Sequence, residues 1–378
     1  MLYEAGGGTM WSELRRIARK VQRRLGEVWS QSPPHRLYVK WARIRITRTL
    51  SAANDRLIMF LSPGYNLKNG GILSIASLYE ESSKLSSIHH AAVVICTVPG
   101  DPPLLKYQWF PNNNYLLDPD AVIGRCSPLK FLMIHVPEFN VNHVADWLES
   151  KRSERLADKV HINILLQNID IIAGQNVDRL ASFGTLTCST AHEAYSTQQT
   201  RDRFAVPLHR MSVYISPEQY RRTGYEEKEN ILVVSQDAHP LREEVLRRIK
   251  ARHPQLRVQV VQDLTYTAYK RLISRAKWTL TFGEGLDGYF IEPIFSGGIA
   301  FTVYNERFFT PEFASVKVIY HSWEELMSSL PGDIDKLDNP IEYTTAWRQP
   351  YELLCQMYNS EIYRENLRRF YRGEYSYP

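Results

Sequence analysis

Short runs of apolar and β-branched residues alternate along most of the chain with segments in which apolar residues recur every three or four positions. The runs predict buried strands, and the segments predict amphipathic helices. Predicted strands cover residues 56–62, 90–98, 131–136, 161–168 and 185–189 in the first half, and 231–235, 257–261, 278–282, 299–304 and 316–321 in the second. Strands that alternate with helices predict parallel sheets covered on both faces.

The predicted helices cover residues 72–84, 141–155, 175–183, 191–204, 241–252, 267–276, 323–330 and 350–370. Residues 206–229 are polar and are interrupted by Pro207, Pro217 and Gly224, so they predict a linker. We therefore expect an N-terminal extension over residues 1–50, a first α/β domain over 51–215 and a second over 216–349.

Charge distinguishes the extension from the rest of the chain. Residues 1–50 hold 11 Lys and Arg against three Glu, although the net charge of all 378 residues is only +5. Over residues 11–29, Trp and Leu recur at helical spacing opposite an Arg-rich face, and basic residues continue to residue 48. This pattern predicts a helix that binds a membrane surface through residues 11–48. The alternative is a helix that packs on its own domain with a solvated charged face.

The same basic stripe also allows nucleic-acid binding, but it contains no recognised nucleic-acid module, so we expect no nucleic-acid partner. The four cysteines have neither metal-ligand nor disulfide spacing, which favours a reducing compartment. The first residues lack an uninterrupted apolar core and a cleavage site, so we expect no signal peptide, and the absence of an apolar stretch of about 18 residues predicts no membrane-spanning helix. We expect a cytoplasmic protein that associates peripherally with the inner face of the plasma membrane.

The candidate chemistry lies in residues 278–304, which read as strand, glycine-rich loop, short helix, glycine pair and strand. Gly283, Gly285 and Gly288 allow a close approach to the backbone, and Glu284 and Glu292 stand eight residues apart. Loop amides before a helix bind phosphate well, and a carboxylate accepts hydrogen bonds from two sugar hydroxyls. The stretch therefore predicts a nucleotide-sugar site. An ordinary strand–helix unit with solvated glutamates is the alternative.

The stretch EGLDGYFIEPIFSGG, residues 284–298, resembles the donor-site signature of GT-B glycosyltransferases of family 4. Its residues are most similar to those of the WsaF-like rhamnosyltransferases. This resemblance implies two Rossmann-like, doubly wound α/β domains that face a central cleft, here with a basic N-terminal helical extension. It also implies that the C-terminal helical region, residues 350–378, packs back on the first domain.

The resemblance implies transfer of rhamnose from dTDP-rhamnose to a hydroxyl of a growing, lipid-linked bacterial surface glycan. The transfer would be retaining and would need neither metal nor cofactor. A UDP- or GDP-hexose donor is the alternative within this fold, and a non-catalytic nucleotide-sugar-binding scaffold is the alternative to an enzyme. A homodimer is a possible assembly.

Site residues follow from the same resemblance. The catalytic candidates are Glu284, Arg242 and His192. The donor-binding candidates are Gly70, Gly71, Gln167, Asn168, Leu264, Thr265, Tyr266, Gly285, Leu286, Asp287 and Glu292. Leu264, Thr265 and Tyr266 correspond to the region that holds the base, and Glu292 to the residue that holds the ribose hydroxyls. Some of these candidates also have an alternative without a catalytic or binding role. Gly70 and Gly71 would form an ordinary turn, Arg242 would be a solvated side chain in the first turn of a helix, and His192 would be a residue at a helix start.

The chain departs from the family at two of these positions. The family usually has a Lys near the basic residue that corresponds to Arg242, and many members have a His at the position of Gln167. Residues 118–120 and 333–335 both read Asp-x-Asp, the metal motif of another glycosyltransferase class. Neither follows a strand as that motif does, so we predict turns there and no metal site.

Overall fold

The computed structural model of the chain describes residues 55–66, 70–102, 104–112, 115–126, 128–154 and 156–378, together with residues 33, 34, 36, 37, 40, 41, 44 and 50. The predicted helix over residues 11–29 lies outside the described residues. Among the described residues, none of the helices has the length and apolar content needed to cross a membrane.

Six strands form the first sheet: β1 Arg56–Ser62, β2 Ala92–Thr97, β3 Phe131–Pro137, β4 Lys159–Leu166, β5 Thr185–Thr190 and β6 Leu208–Arg210. Their order is β2-β1-β3-β4-β5-β6, and every neighbouring pair is parallel. Strand β1 is buried on both faces: Leu57 and Met59 pack into one apolar layer and Ile58 and Phe60 into the other. Side chains alternate across a strand, so a nearly all-apolar strand needs such cover on both sides.

The helices of this half are α1 Gly70–Ser83, α2 Ser86–His89, α3 Pro119–Cys126, α4 Val141–Ser150, α5 Asp178–Ala181 and α6 Gln198–Phe204. Helix α1 begins at the predicted glycine pair. Helix α6 begins at Gln198, where the Thr197 hydroxyl accepts a hydrogen bond from the Thr200 amide. The prediction of a helix from residue 191 was therefore wrong, because the N-cap lies six residues further on and His192 stays in the preceding loop.

The second sheet contains β7 Glu229–Val234, β8 Arg257–Val260, β9 Ala276–Leu280, β10 Ile299–Val303 and β11 Ile319–Tyr320, in the order β11-β10-β9-β7-β8 and all parallel. Its helices are α7 Arg242–Arg252, α8 Tyr266–Arg275, α9 Gly288–Phe295 and α10 Trp323–Leu337. The chain therefore contains two α/β domains, each with a parallel sheet, which confirms the predicted fold class.

The C-terminal region consists of two helices, α11 Pro340–Met357 and α12 Ser360–Arg372, where the sequence predicted one helix over 350–370. Tyr358 is extended, and the Asn359 side chain caps α12 by accepting from the Ile362 amide at 2.8 Å. Helix α11 packs on the second domain, where Trp347 donates to the Ile294 carbonyl of α9 and the Tyr343 hydroxyl donates to the Lys277 carbonyl of β9. Helix α12 packs on the first sheet through Leu367 and its apolar neighbours.

The structure corrects three further predictions. Residues 206–229 contain β6, which the neighbouring Pro207 and the polar residues of the strand concealed; it hydrogen-bonds to β5 on one side and to Tyr377 on the other. Asp118 directly precedes α3, and its side chain accepts from the Ala121 amide, while Asp120 lies in the first turn of that helix. Residues 333–335 lie inside α10, which continues through Pro331. The first Asp-x-Asp segment is therefore a helix start and the second a helix interior, and neither is a turn.

Candidate functional site

In the glycine-rich loop between β9 and α9, the backbone conformation and close neighbouring atoms restrict which residues fit. Gly285 has φ +95°, and an added Cβ would lie 2.6 Å from the Phe309 ring. A Cβ on Gly283 would lie 2.9 Å from a carboxylate oxygen of Asp237 and equally close to one of Asp287. Gly285 therefore needs to be glycine, because its φ lies in the left-handed region and the Phe309 ring leaves no room for a Cβ, whereas a Cβ at Gly283 would displace one of the two carboxylates. The loop is thus held close to two carboxylates.

Asp287 caps α9. Its Oδ1 accepts from the amides of Tyr289 and Phe290, at 2.8 and 3.1 Å, and its Oδ2 accepts from the Thr281 hydroxyl at 3.0 Å. Burial, and then the nearby Asp237 charge, raise the pKa of Asp287 to about 7. Two amides at the helix start are therefore satisfied by a side chain of the loop itself. Leu286 is fully buried in the core, so it fixes the loop in place.

Glu284 lies where the two sheets approach each other. Its Oε1 accepts a hydrogen bond of 2.5 Å from Nδ2 of Asn168, the second residue after β4. Burial raises the pKa of Glu284; the bond from Asn168 opposes that shift, and the charges of Asp237 and Asp170 add to it. A carboxylate of the second domain is thereby oriented by an amide of the first.

Glu138 is a member of this cluster that the sequence analysis missed. It directly follows β3 and is 1% exposed, and its Oε1 accepts from the Asn168 amide at 3.1 Å. Its Oε2 is buried and has no hydrogen-bond partner. Burial raises the pKa of Glu138 to about 7. Its position at the carboxyl end of a central parallel strand was the available signal, since ligands bind at that edge of such sheets.

Glu292 lies on α9 and is 5% exposed. Its Oε2 is buried without a hydrogen-bond partner. Burial raises the pKa of Glu292 to about 8, and the Lys270 charge and the hydroxyls of Tyr266 and Tyr220 act in the opposite direction. The two hydroxyls are 2.9 Å apart. The predicted diol acceptor is thus a buried carboxyl beside the predicted base-stacking tyrosine.

Tyr266 also touches the first domain, because its amide donates to the Trp109 carbonyl at 2.7 Å. Thr265 is the N-cap of α8, with its hydroxyl accepting from the Ala268 amide at 3.2 Å. Leu264 is half-buried against the core. Of these three predicted base-site residues, only Tyr266 lies beside Glu292 by the contacts seen here; Thr265 and Leu264 shape the start of the helix.

Arg242 is the first residue of α7, and its guanidinium folds back onto the loop that precedes the helix. Nη1 donates to the carbonyls of Asp237 and Gln236, at 3.3 and 3.5 Å. Its Nε is buried without a hydrogen-bond partner. A buried, unpartnered N–H is costly, so this donor is available to an acceptor that enters the site.

Two contacts describe the first-domain candidates. Gln167 donates from Nε2 to the Gly71 carbonyl at 2.9 Å and so joins the end of β4 to the start of α1, where Gly70 is exposed. His192 packs against the rings of Tyr195 and Phe308, with centroids 5.7 and 5.6 Å away. Burial lowers the pKa of His192 to about 4. It is therefore a neutral imidazole in an aromatic contact between the two halves.

Across the described part of the chain, His, Cys, Asp and Glu side chains do not form a group of three or more that could hold a metal ion. The carboxylates of Asp237, Glu284 and Asp287 surround the glycine loop but do not form such a group.

Comparison with solved structures identifies the fold. HepE from Anabaena, in complex with UDP and glucose, superposes with a TM-score of 0.54 at 10% identity, over 84% of this chain and 100% of that one. The chain has the GT-B fold. The GT-B chain also matches sucrose-phosphate synthase from Thermosynechococcus elongatus, with a TM-score of 0.50 at 12% identity, over 84% of this chain and 98% of that one. It matches a glycosyltransferase from Rickettsia africae with a TM-score of 0.51 at 9% identity, over 84% of this chain and 98% of that one. No family model and no curated protein matches the sequence.

Proposed function

We propose that this GT-B chain is a glycosyltransferase that uses a nucleotide-sugar donor. The observation that carries the proposal is the bond between Asn168 and Glu284, at 2.5 Å, which joins the carboxyl edge of the first sheet to the glycine loop of the second. Glu292 lies eight residues further on, beside Tyr266. This arrangement supports a donor site at the surface between the two domains.

Each candidate has a role in this proposal. Glu292 accepts hydrogen bonds from nucleoside hydroxyls, and Glu284 accepts from hydroxyls of the transferred sugar. Arg242 offers its free Nε–H to the diphosphate, which gains charge as it leaves. The bond from the anomeric carbon to the diphosphate oxygen breaks, a bond to the acceptor oxygen forms, and the diphosphate takes the acceptor proton. Positioning and charge stabilisation supply the catalysis, with retention of configuration and without metal.

The sequence resemblance favours dTDP-rhamnose as the donor, and with it rhamnosyl transfer. A second candidate is a UDP-hexose, because HepE is described in complex with UDP-glucose. The two donors differ in the number of nucleoside hydroxyls that can bind Glu292. UDP offers two ribose hydroxyls, whereas dTDP has only the 3′-hydroxyl. A GDP-hexose would also keep both hydroxyls.

The proposed acceptor is a lipid-linked glycan at the inner face of the plasma membrane, bound by a cytoplasmic protein that is monomeric or a homodimer. Leu37, Trp41 and Ile44 support a membrane contact, since they lie at helical spacing and are 67%, 56% and 42% exposed. Arg36 and Lys40 belong to the same segment. Deleting residues 1–50 should abolish binding to anionic vesicles while transfer to a soluble acceptor analogue continues. Unchanged vesicle binding would refute the membrane proposal.

Thermal unfolding with added nucleotides tests the donor. A ligand that binds only the folded state raises Tm by mass action. We expect dTDP or UDP to raise Tm, equally with Mg²⁺ and with EDTA. A shift with dTDP alone supports the rhamnosyl donor, and a larger shift with UDP supports the hexose donor. If dTDP, UDP, GDP and ADP all leave Tm unchanged, the chain is not a nucleotide-sugar transferase.

A further inference from the structure

Lys270 occupies an unusual position for a lysine. It lies on α8, one turn after Tyr266, and its Nζ is 4.7 Å from the Tyr266 ring centroid and 4.4 Å from that of Tyr220. The same Nζ donates to the Gln219 carbonyl at 3.1 Å. Two aromatic faces and a carbonyl all favour a cation there. The ammonium group is therefore held in one place by three separate contacts.

The two tyrosines that hold Lys270 are the ones whose hydroxyls meet beside Glu292, 2.9 Å from each other. Among the described residues, six ionisable side chains interact electrostatically with the Glu292 carboxyl: Lys270, Tyr266 and Tyr269 from α8, Tyr220 from the segment before β7, and Asp287 and Tyr289 from the start of α9. Of these six, Lys270 is the cation, and the Asp287 charge opposes it. Burial lowers the pKa of Lys270 and the Glu292 charge raises it, so each of the two groups favours the charged form of the other.

A buried carboxylate is costly without a compensating charge, and one oxygen of Glu292 has no hydrogen-bond partner. We propose that Lys270 is a positioning residue for the donor: its ammonium group favours the ionised form of Glu292, the form that accepts hydrogen bonds from the nucleoside sugar. This inference rests on the proposed function. It gives helix α8 a role in donor binding that cannot be inferred from the pair Glu284 and Glu292 alone.

The inference makes nucleotide affinity depend on pH. Burial raises the pKa of Glu292 to about 8, and the Lys270 charge lowers it. Without the ammonium group the carboxyl takes a proton more readily, so the affinity that requires its ionised form is reached only at higher pH. Each unit by which that pKa rises weakens binding about tenfold on the acidic side of it.

The experiment is a calorimetric titration of the full chain with UDP and with dTDP between pH 6.5 and pH 9. Lys270→Met should bind the better of the two nucleotides about tenfold more weakly at pH 7, with the loss shrinking toward pH 9. Lys270→Arg keeps the charge and should remain close to wild type. Lys250→Met, an exposed position on α7, is the matched control and should match wild type throughout.

A double-mutant cycle separates this role from a structural one. In a Glu292→Gln background, Lys270→Met should cause no further loss of affinity and no pH dependence, because the amide cannot ionise. An equal loss in both backgrounds, or a loss in Lys270→Met that stays constant with pH, would overturn the role of Lys270 while the transferase proposal stands. Failure of the wild-type chain to bind either nucleotide, together with an unchanged Tm in GDP and in ADP, would overturn both.

Discussion

Asn168 of the first domain donates to Glu284 of the second through a side-chain hydrogen bond of 2.5 Å, while its own amide donates to Glu138 at 3.1 Å. One residue thus bonds two carboxyls that come from different sheets. Both carboxyls have raised pKa values because they are buried. A hydrogen-bond donor between two such groups fixes their orientation and keeps them apart, so we expect the geometry of the cleft to depend on Asn168.

Asn168→Asp should lower turnover about 10²-fold, because it removes the donor to Glu284 and adds a like charge between two carboxyls. Asn168→Ala removes the donor only, so it should lose less. Steady-state kinetics of sugar transfer measure both. Asn176→Ala, an exposed asparagine of the same domain, serves as the control. If Asn168→Asp matched the alanine variant, like-charge repulsion would have no part in the effect.

Glu284 and Glu292 should fail in different kinetic parameters. Glu292→Ala should raise the donor KM about tenfold with kcat nearly unchanged, since it removes binding to the nucleoside. Glu284→Ala should lower kcat about 10²-fold, since it acts next to the reacting sugar. Initial rates at varied donor concentration distinguish the two patterns. Wild-type kinetics in both variants would refute the site.

Two glycine substitutions should change stability in opposite directions. Gly297 has φ +83°, and an added Cβ would lie 2.2 Å from the Thr223 carbonyl oxygen, so Gly297→Ala should cost at least about 2 kcal/mol. Gly332 lies inside α10 with open space around it, so Gly332→Ala should stabilise the protein by about 0.5–1 kcal/mol. Urea unfolding followed by tryptophan fluorescence measures both. A neutral Gly297→Ala would mean that this turn adjusts easily.

Glu138 should make the protein less stable as pH rises. Its pKa is about 7 in the folded chain, above the ordinary value of about 4.3 for an unfolded one. The folded state therefore holds the proton more tightly, and its stability falls as pH increases from about 4.3 to about 7. Glu138→Gln is neutral at every pH and should be more stable than wild type by about 3–4 kcal/mol at pH 8, with little difference at pH 4.5.

Unfolding free energies at the two pH values check this prediction. Glu352→Gln, an exposed position on α11, is the control, and its difference from wild type should not vary in the same way. A Glu138→Gln variant that is less stable than wild type at pH 8 would show that the ionised carboxylate has a stabilising partner in solution.

The pattern of apolar residues and glycines along the chain is enough to predict the alternating strands and helices, and the glycine loop between β9 and α9. These are local properties: a buried parallel strand must be apolar on both faces, and a loop residue with φ +95°, as at Gly285, favours glycine. The Glu-x7-Glu spacing likewise lies within one strand–helix unit, so it could be read from the chain alone.

Three features could be seen only in the folded chain: strand β6, the break between α11 and α12, and the contacts of Asn168. Strand β6 is three residues long and exists only because β5 and Tyr377 flank it, and the break between α11 and α12 occurs where the chain leaves the second sheet for the first. The contacts of Asn168 with Glu138 and Glu284 span 30 and 116 residues. Periodicity and spacing carry no information about such pairs, because only the packing of two sheets against each other brings them together.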